Sequence, residues 1–273
     1  MVFTIVALLL GGLMYTLAAQ TEQRDRNDTL RRMEEAKELL IGFAMVNGRL
    51  PCPARYVDAT NHSNGLESFC TAAAPATCSA PADMTTTVQA HGNCSNWLDG
   101  YLPAVSIGFS GADATGFALD AWTNRIRYAV AQNVSDPGAA CPATGASATV
   151  PGFTNATNLK SNNVGCLPAD MQVCNTITGA STTACAGAAQ AVTNANLVAA
   201  VVLSTGKNFS TAATAAAATS QGRADEAANL NGDGVFVFHP PRPDTEANQF
   251  DDHVIWVPVN LLYARMIAAG VLP

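Results

Sequence analysis

Eight cysteines dominate the reactive side chains of this 273-residue chain: Cys52, Cys70, Cys78, Cys94, Cys141, Cys166, Cys174 and Cys185. Their number is even, they sit in turn-rich sequence, and none precedes residue 52 or follows residue 185. That distribution reads as a disulfide framework made in an oxidising compartment. Zinc is the weaker reading, because no C-x-x-C occurs and the closest pairs, Cys70/Cys78 and Cys166/Cys174, are eight residues apart. Spacing alone leaves the connectivity open. Proximity favours Cys70–Cys78, and Cys52–Cys94 as a tie between the end of the first helix and the loop after it.

A second group of side chains could hold a cation. In Asn229-Leu230-Asn231-Gly232-Asp233-Gly234 oxygen-bearing side chains alternate, as in part of a calcium loop. Asp251-Asp252 lie ahead of a further apolar run, and Asp225 and Glu226 are near in sequence. One reading is a single calcium site drawing on Asn229, Asn231, Asp233, Asp251 and Asp252, with no other cofactor. The other is plain structure: Asn-Gly and Asp-Gly are hairpin signals, and paired acids before a strand are often simply solvated. His62, His91, His239 and His253 are scattered, with no H-E-x-x-H or triad spacing, and neither G-x-S-x-G nor a P-loop is present. The chain is therefore not expected to be an enzyme. Asp120, Asn124 and Arg125 are expected to fix a turn, and Trp97, Trp122 and Trp256 to pack in the core or at its rim. Asn133-Val134-Ser135 and Asn155-Ala156-Thr157 mark exposed loops open to glycosylation.

These groups need a scaffold, and its leading element is the first fifty residues. Met1 to Thr21 hold no charge; eleven charged side chains then follow between Glu22 and Glu38. Leu30, Met33, Leu40, Phe43 and Val46 continue an apolar stripe through the charged half. No proline occurs before Pro51, and Asn47-Gly48 followed by Pro51 and Pro53 stops the helix. The apolar half is long enough for a membrane anchor. It lacks the basic start of a signal peptide, and the third option is a helix that passes from membrane into a filament. Six basic and six acidic residues balance in residues 1–50, so the remainder holds the whole net charge of −7. An acidic head argues against a general grip on nucleic-acid phosphates.

Strands are expected at Asp120–Val130, at the continuously apolar Leu197–Ser204, at Val235–His239 and at Val254–Pro258. Asn260–Ala269 is a closing helix capped by Asn260 or Gly270. Thr211–Gln221 reads equally as helix or loop. Residues 54–100 and 131–195 read as long disulfide-pinned loops. The fold class is α+β: residues 1–50 form an assembly helix, and residues 51–273 a head in which the four strands make an antiparallel meander packed on that helix.

LLLGGLMYTLAAQTEQR, the charged helix and NGRLPCPA resemble type IV pilin-like proteins, particularly large bacterial ones with the GRLPCPA signature. DAWTNRIRYAV is similar to the D-x-W-G-N-x-x-x-Y segment of these and of the major pseudopilins, and DDHVIW and NLLYARMIAAGVLP to their C-terminal pattern. Asp251-Asp252 resemble the acidic end of the pseudopilin calcium site. The resemblance covers both ends and the middle, but not residues 54–118 or 131–195. It implies a structural subunit of a type IV pilus or pilus-like extracellular filament, held in the inner membrane before assembly. The subunits would meet through their N-terminal helices, with local melting at Gly11-Gly12, and would be handled by a pilus assembly machinery. The alternatives are a minor pilin or pseudopilin of a secretion or pilus machine, and a monomeric membrane-anchored extracytoplasmic binding protein. The family carries a glutamate at its fifth mature position, whereas Ile5 stands here and no acid precedes Glu22. The alignment expects about seven further residues ahead of Met1, including that glutamate.

Overall fold

The computed structural model describes residues 2–56, 64–72, 78, 83–132, 134–135, 141, 151–161, 164–194, 196–209, 224–242 and 249–273. The side chains of 2–18, 134 and 135 lie outside that description, as do His62, Asn133 and the Thr211–Gln221 segment.

Helix α1 (Val2–Asn47) is unbroken along its backbone, through Gly11 and Gly12. It ends where the sequence says, with Gly48 in the left-handed region (φ 69°) and its N–H on the Ala44 carbonyl at 2.9 Å. The face it buries is Thr29, Met33, Ala36, Leu40, Ile41 and Ala44. The expected stripe is thus shifted: Leu30 and Phe43 are half-buried, and Val46 is 84% exposed. Steps of three fall about 60° short of a full turn at 100° per residue, so a 40-43-46 series rotates off the head. Among the described residues no helix is long and apolar enough to cross a membrane.

The main sheet is antiparallel and four-stranded. It holds β3 (Gly100–Tyr101), β4 (Arg127–Val130), β8 (Val198–Ser204) and β10 (His253–Pro258), in the order β10-β8-β4-β3. The meander is as expected, but one member differs. β9 (Val235–Val237) leaves the main sheet and pairs in parallel with β7 (Gln172–Cys174), while the short β3 takes the far edge. All seven residues of β8 are buried, which suits its continuous Val/Ala run at the centre of the sheet. Further two-stranded pairs are β1 (Phe69–Cys70) with β2 (Met84–Thr85), and β5 (Val134–Ser135) with β6 (Leu167–Pro168).

Short helices are α2 (Ala104–Ile107), α3 (Ala156–Ser161) and α4 (Ala224–Ala228). The closing helix α5 (Val259–Ala268) starts after Pro258 rather than at an Asn260 cap. α1 packs on β8, β10 and α5, so the charged half of the first helix shares one core with the sheet. A groove of about 620 Å3 runs between α1 and β10, lined by Arg26, Leu30 and Lys37 on one side and Ile255, Trp256 and Phe238 on the other.

Both expected disulfides form, Cys52–Cys94 and Cys70–Cys78, together with Cys141–Cys166 and Cys174–Cys185. With the short strands they order much of the two loop regions. Closing the 42-residue Cys52–Cys94 loop removes about 4 kcal/mol of chain entropy from the unfolded state on the loop-length model.

Two side-chain clusters join helix to sheet. The first is built on the turn after residue 119. Asp120 Oδ1 accepts from the Trp122 and Asn124 N–H groups at 2.9 and 2.8 Å, and its Oδ2 from Ser204 Oγ at 2.7 Å. Thr29 Oγ1 accepts the Ala121 N–H at 3.1 Å, and Arg32 donates to the Leu119 and Asp120 carbonyls. Asp120 and Asn124 therefore fix the turn, as expected, and the turn fixes α1. The second cluster is Arg49. Its guanidinium meets Glu67 in a buried bidentate pair at 2.6 and 3.0 Å, and Glu67 Oε1 also accepts the Cys52 N–H at 2.8 Å.

Two stability predictions follow from these clusters. Removing one member of the buried pair (Arg49→Met or Glu67→Leu alone) strands the other charge and should cost about 3–5 kcal/mol in urea unfolding, and the double variant should recover much of it. Thr123 has φ 69°, a left-handed conformation that costs a non-glycine residue about 1–2 kcal/mol. Thr123→Gly should accordingly raise stability by about 1 kcal/mol in the same assay.

Candidate functional site

The chain turns sharply after β8 at Gly206, whose φ is 66°. A β-carbon there would come within 2.5 Å of Asp251 Oδ1 and of the Asp251 carbonyl oxygen. Glycine thus lets the turn press onto the residues that lead into β10. The Lys207 and Asn208 N–H groups then point at Asp251 Oδ2, at 2.9 and 3.0 Å.

Glu226, on α4, completes the arrangement from the other side. Its two oxygens accept from Asn208 Nδ2 at 2.9 and 3.2 Å, and Oε1 accepts the Asp251 N–H at 3.0 Å. Asp252 Oδ2 accepts from Asn229 Nδ2 at 2.7 Å. The result is a trio of carboxylates, Glu226, Asp251 and Asp252, each offering one oxygen within 4.8 Å of the others. Glu226 and Asp252 are buried, and Asp251 Oδ1 is buried without a hydrogen-bond partner among the described residues.

Three acids this close cannot all ionise cheaply. Burial pushes the Asp251 carboxyl up to about 7; the Glu226 charge adds to this, and the Asn208 and Lys207 N–H groups work against it. Asp252 is driven well above the ordinary carboxylate range, first by burial and then by Glu226 and Asp251, against its bond from Asn229. A hard divalent cation would neutralise this cluster, and an all-oxygen donor set suits calcium.

Of the residues proposed from sequence, the fold brings Asp251 and Asp252 together and adds Glu226. Asn229 sits beside them in a supporting place: its Oδ1 accepts the Val237 N–H and its Nδ2 serves Asp252 and the Val237 carbonyl. Asn231 and Asp233 are not part of the trio. They bond each other and the backbone in a turn, with Asn231 Nδ2 on Asp233 Oδ2 at 2.7 Å and the Val235 N–H on Asp233 Oδ1 at 2.8 Å. That stretch is a turn leading into β9, which pairs in parallel with β7. Glu226 lies three positions before Asn229 on a short helix, and only the folded turn at Gly206 joins it to Asp251.

His253 is held neutral, its pKa lowered to about 4 by burial and then by Arg26, and it stacks on Trp122. Asn155 Nδ2, the atom a glycan would need, is spent on the Ala90 and His91 carbonyls.

A scan against protein-family models, a search of curated proteins and a search of solved structures each find no match to this chain.

The sign of the pH effect follows from the raised Asp251 carboxyl. The folded chain keeps a proton that the unfolded chain has lost between about pH 4 and 7, so metal-free stability should fall as pH rises through that window. Calcium should raise the melting temperature at pH 8 and raise it less at pH 5, where protons compete. Differential scanning calorimetry in EDTA and in calcium chloride checks this, and Asp251→Asn should abolish the calcium effect and reduce the pH effect, leaving the part that buried Asp252 contributes. No binding heat, together with unchanged melting in EDTA, would remove calcium from consideration.

Proposed function

We propose that this chain is a structural subunit of a type IV pilus or pilus-like filament, with α1 as the element of assembly and the acidic head as the surface. The observation that carries the reading is the relation of α1 to the head. From residue 19 onward, where side chains are described, residues 19–24 are exposed and Thr29 is the first buried one, while the helical backbone runs back to Val2. A helix of 46 residues is about 69 Å long, and its first 20 residues, Val2 to Thr21, are free of charge. An uncharged helical run of this length is suited to a membrane or to packing against other helices. A filament in which copies of α1 pack together supplies such packing.

Further support comes from the resemblance of the Gly48–Ala54 stretch and the Asp120–Tyr128 stretch to type IV pilin-like proteins. In this chain both stretches bind α1 to the head. The four disulfides suit a protein that works outside the cytoplasm. Residence in the inner membrane before assembly, and handling by a pilus machinery, belong to the same reading.

The second reading is a minor pilin or pseudopilin. It is favoured by the carboxylate trio, because Asp251-Asp252 ahead of Trp256 resemble the acidic end of the pseudopilin calcium site. Shearing the source cells and identifying the fibre subunits by mass separates the two. The main reading expects fibres made chiefly of this chain, lost on its deletion. The second expects few copies and a secretion or piliation defect. Recovery only from membranes, as a monomer, would overturn both.

A further inference from the structure

Asp225 is the residue before Glu226, and it belongs to a different cluster. Its Oδ1 accepts the Ile177 N–H at 2.8 Å and Thr176 Oγ1 at 3.1 Å. Its Oδ2 lies 3.4 Å from His239 Nε2. His239 is only 7% exposed, and its ring lies against Phe250 with centroids 3.9 Å apart.

The other nitrogen of that ring sets its protonation. Nδ1 is 2.9 Å from the Pro240 carbonyl oxygen. A carbonyl only accepts, so Nδ1 carries the hydrogen and the neutral ring has its lone pair on Nε2. That nitrogen lies 3.4 Å from a carboxylate oxygen that is off the direction of a hydrogen bond, and Nε2 has no hydrogen-bond partner among the described residues. Two acceptors this close in a largely buried setting repel. Something positive belongs between them, either a proton or a metal ion.

The spacing fits the metal. Two ligands of one tetrahedral zinc, with bonds of about 2.0–2.1 Å, lie about 3.3–3.4 Å apart. An ion could therefore bond Nε2 and Oδ2 with neither side chain moving. Both ligands are also braced as metal ligands usually are. The imidazole donates its second N–H to a backbone carbonyl, and the carboxylate's other oxygen is held by two donors. A cavity of about 580 Å3, lined also by Asn175, Thr178, Arg242 and Gln249, adjoins the pair and has room for water to complete the shell.

We propose that His239 and Asp225 form a binding site for a zinc-class transition-metal ion, separate from the all-oxygen carboxylate trio, with solvent from the adjoining cavity filling the remaining positions. The imidazole and carboxylate donor set selects zinc-class ions over calcium. The site does not depend on the filament reading.

Zinc chloride titrated calorimetrically into the full chain, with calcium present to occupy the carboxylate trio, tests the site. The expected result is saturable binding at one equivalent. His239→Asn keeps a donor for the Pro240 carbonyl but lacks Nε2, and Asp225→Asn keeps an acceptor at Oδ1. Each should weaken zinc binding at least about tenfold, while Glu226→Gln should leave it unchanged. Zinc-edge X-ray absorption on the unmutated protein, independent of whether any variant folds, should show one imidazole in the shell. Absence of saturable binding, absence of imidazole scattering, or zinc affinity unchanged in His239→Asn would each overturn the assignment. So would a doubly protonated His239 ring in 1H–15N spectra that zinc leaves unaltered.

Discussion

A buried guanidinium–carboxylate pair governs how the first helix meets the rest of the chain. Arg49 and Glu67 have side chains only 8% and 6% exposed. Taking both charges out of water is tolerable only when both oxygens and both terminal nitrogens find each other. That needs three segments in register: the end of α1, the backbone at Cys52 and the segment carrying Glu67. The surrounding contacts enforce it. The guanidinium lies 5.3 Å from the Phe43 and Phe69 ring centres, and Tyr128 on β4 donates its hydroxyl to the Pro51 carbonyl. Ala54 then bridges to both Glu67 and Tyr101. Gly100 is glycine because a β-carbon there would come within 2.3 Å of the Pro53 side chain. The short Gly48–Ala54 stretch thus acts as a joint between helix and sheet, each residue type answering a local demand.

Much of this was legible before the fold was known, and the failures have physical reasons. β8 announces itself by six successive small or branched apolar residues, Val198 to Leu203, the mark of a strand covered on both faces. The end of α1 and the Asp120 turn are written in local chemistry, where glycine, proline and a short carboxylate act on their own neighbours. Partners chosen in three dimensions leave no such trace. Glu67 lies eighteen residues from Arg49 in a stretch without periodicity. β3 is two residues long, too short to show alternation. Val235–Val237 reads as a strand, but its parallel partner Gln172–Cys174 is placed by a disulfide and a loop. The carboxylate trio was half visible, since Asp251-Asp252 stand out and Glu226 joins them only through a turn that glycine permits.

The two clusters around α4 show how adjacent residues acquire different chemistry. Glu226 meets other carboxylates and backbone N–H groups, an environment built from oxygen and suited to hard ions. Asp225 meets an imidazole across 3.4 Å, with an aromatic ring behind it. The sheet edge nearby carries its own safeguard. β10 is an outer strand with Ile255 and Trp256 at a groove, and Arg26 and Lys37 stand on the facing wall. Charges at such an edge discourage pairing with arbitrary strands.

The disulfide pattern has a consequence for the order of events during synthesis. Three of the bonds join cysteines that are consecutive in the chain, but Cys52–Cys94 encloses Cys70–Cys78. As the chain is made, Cys70 is the first thiol that Cys52 can meet, and joining those two would be a mistake. Cys52 must stay reduced, or be released from that early bond by exchange, until Cys94 has appeared. Thiols joined strictly in order of appearance would trap the joint between helix and sheet. A chain guided by the Arg49–Glu67 contact, or served by a disulfide isomerase, would avoid the trap.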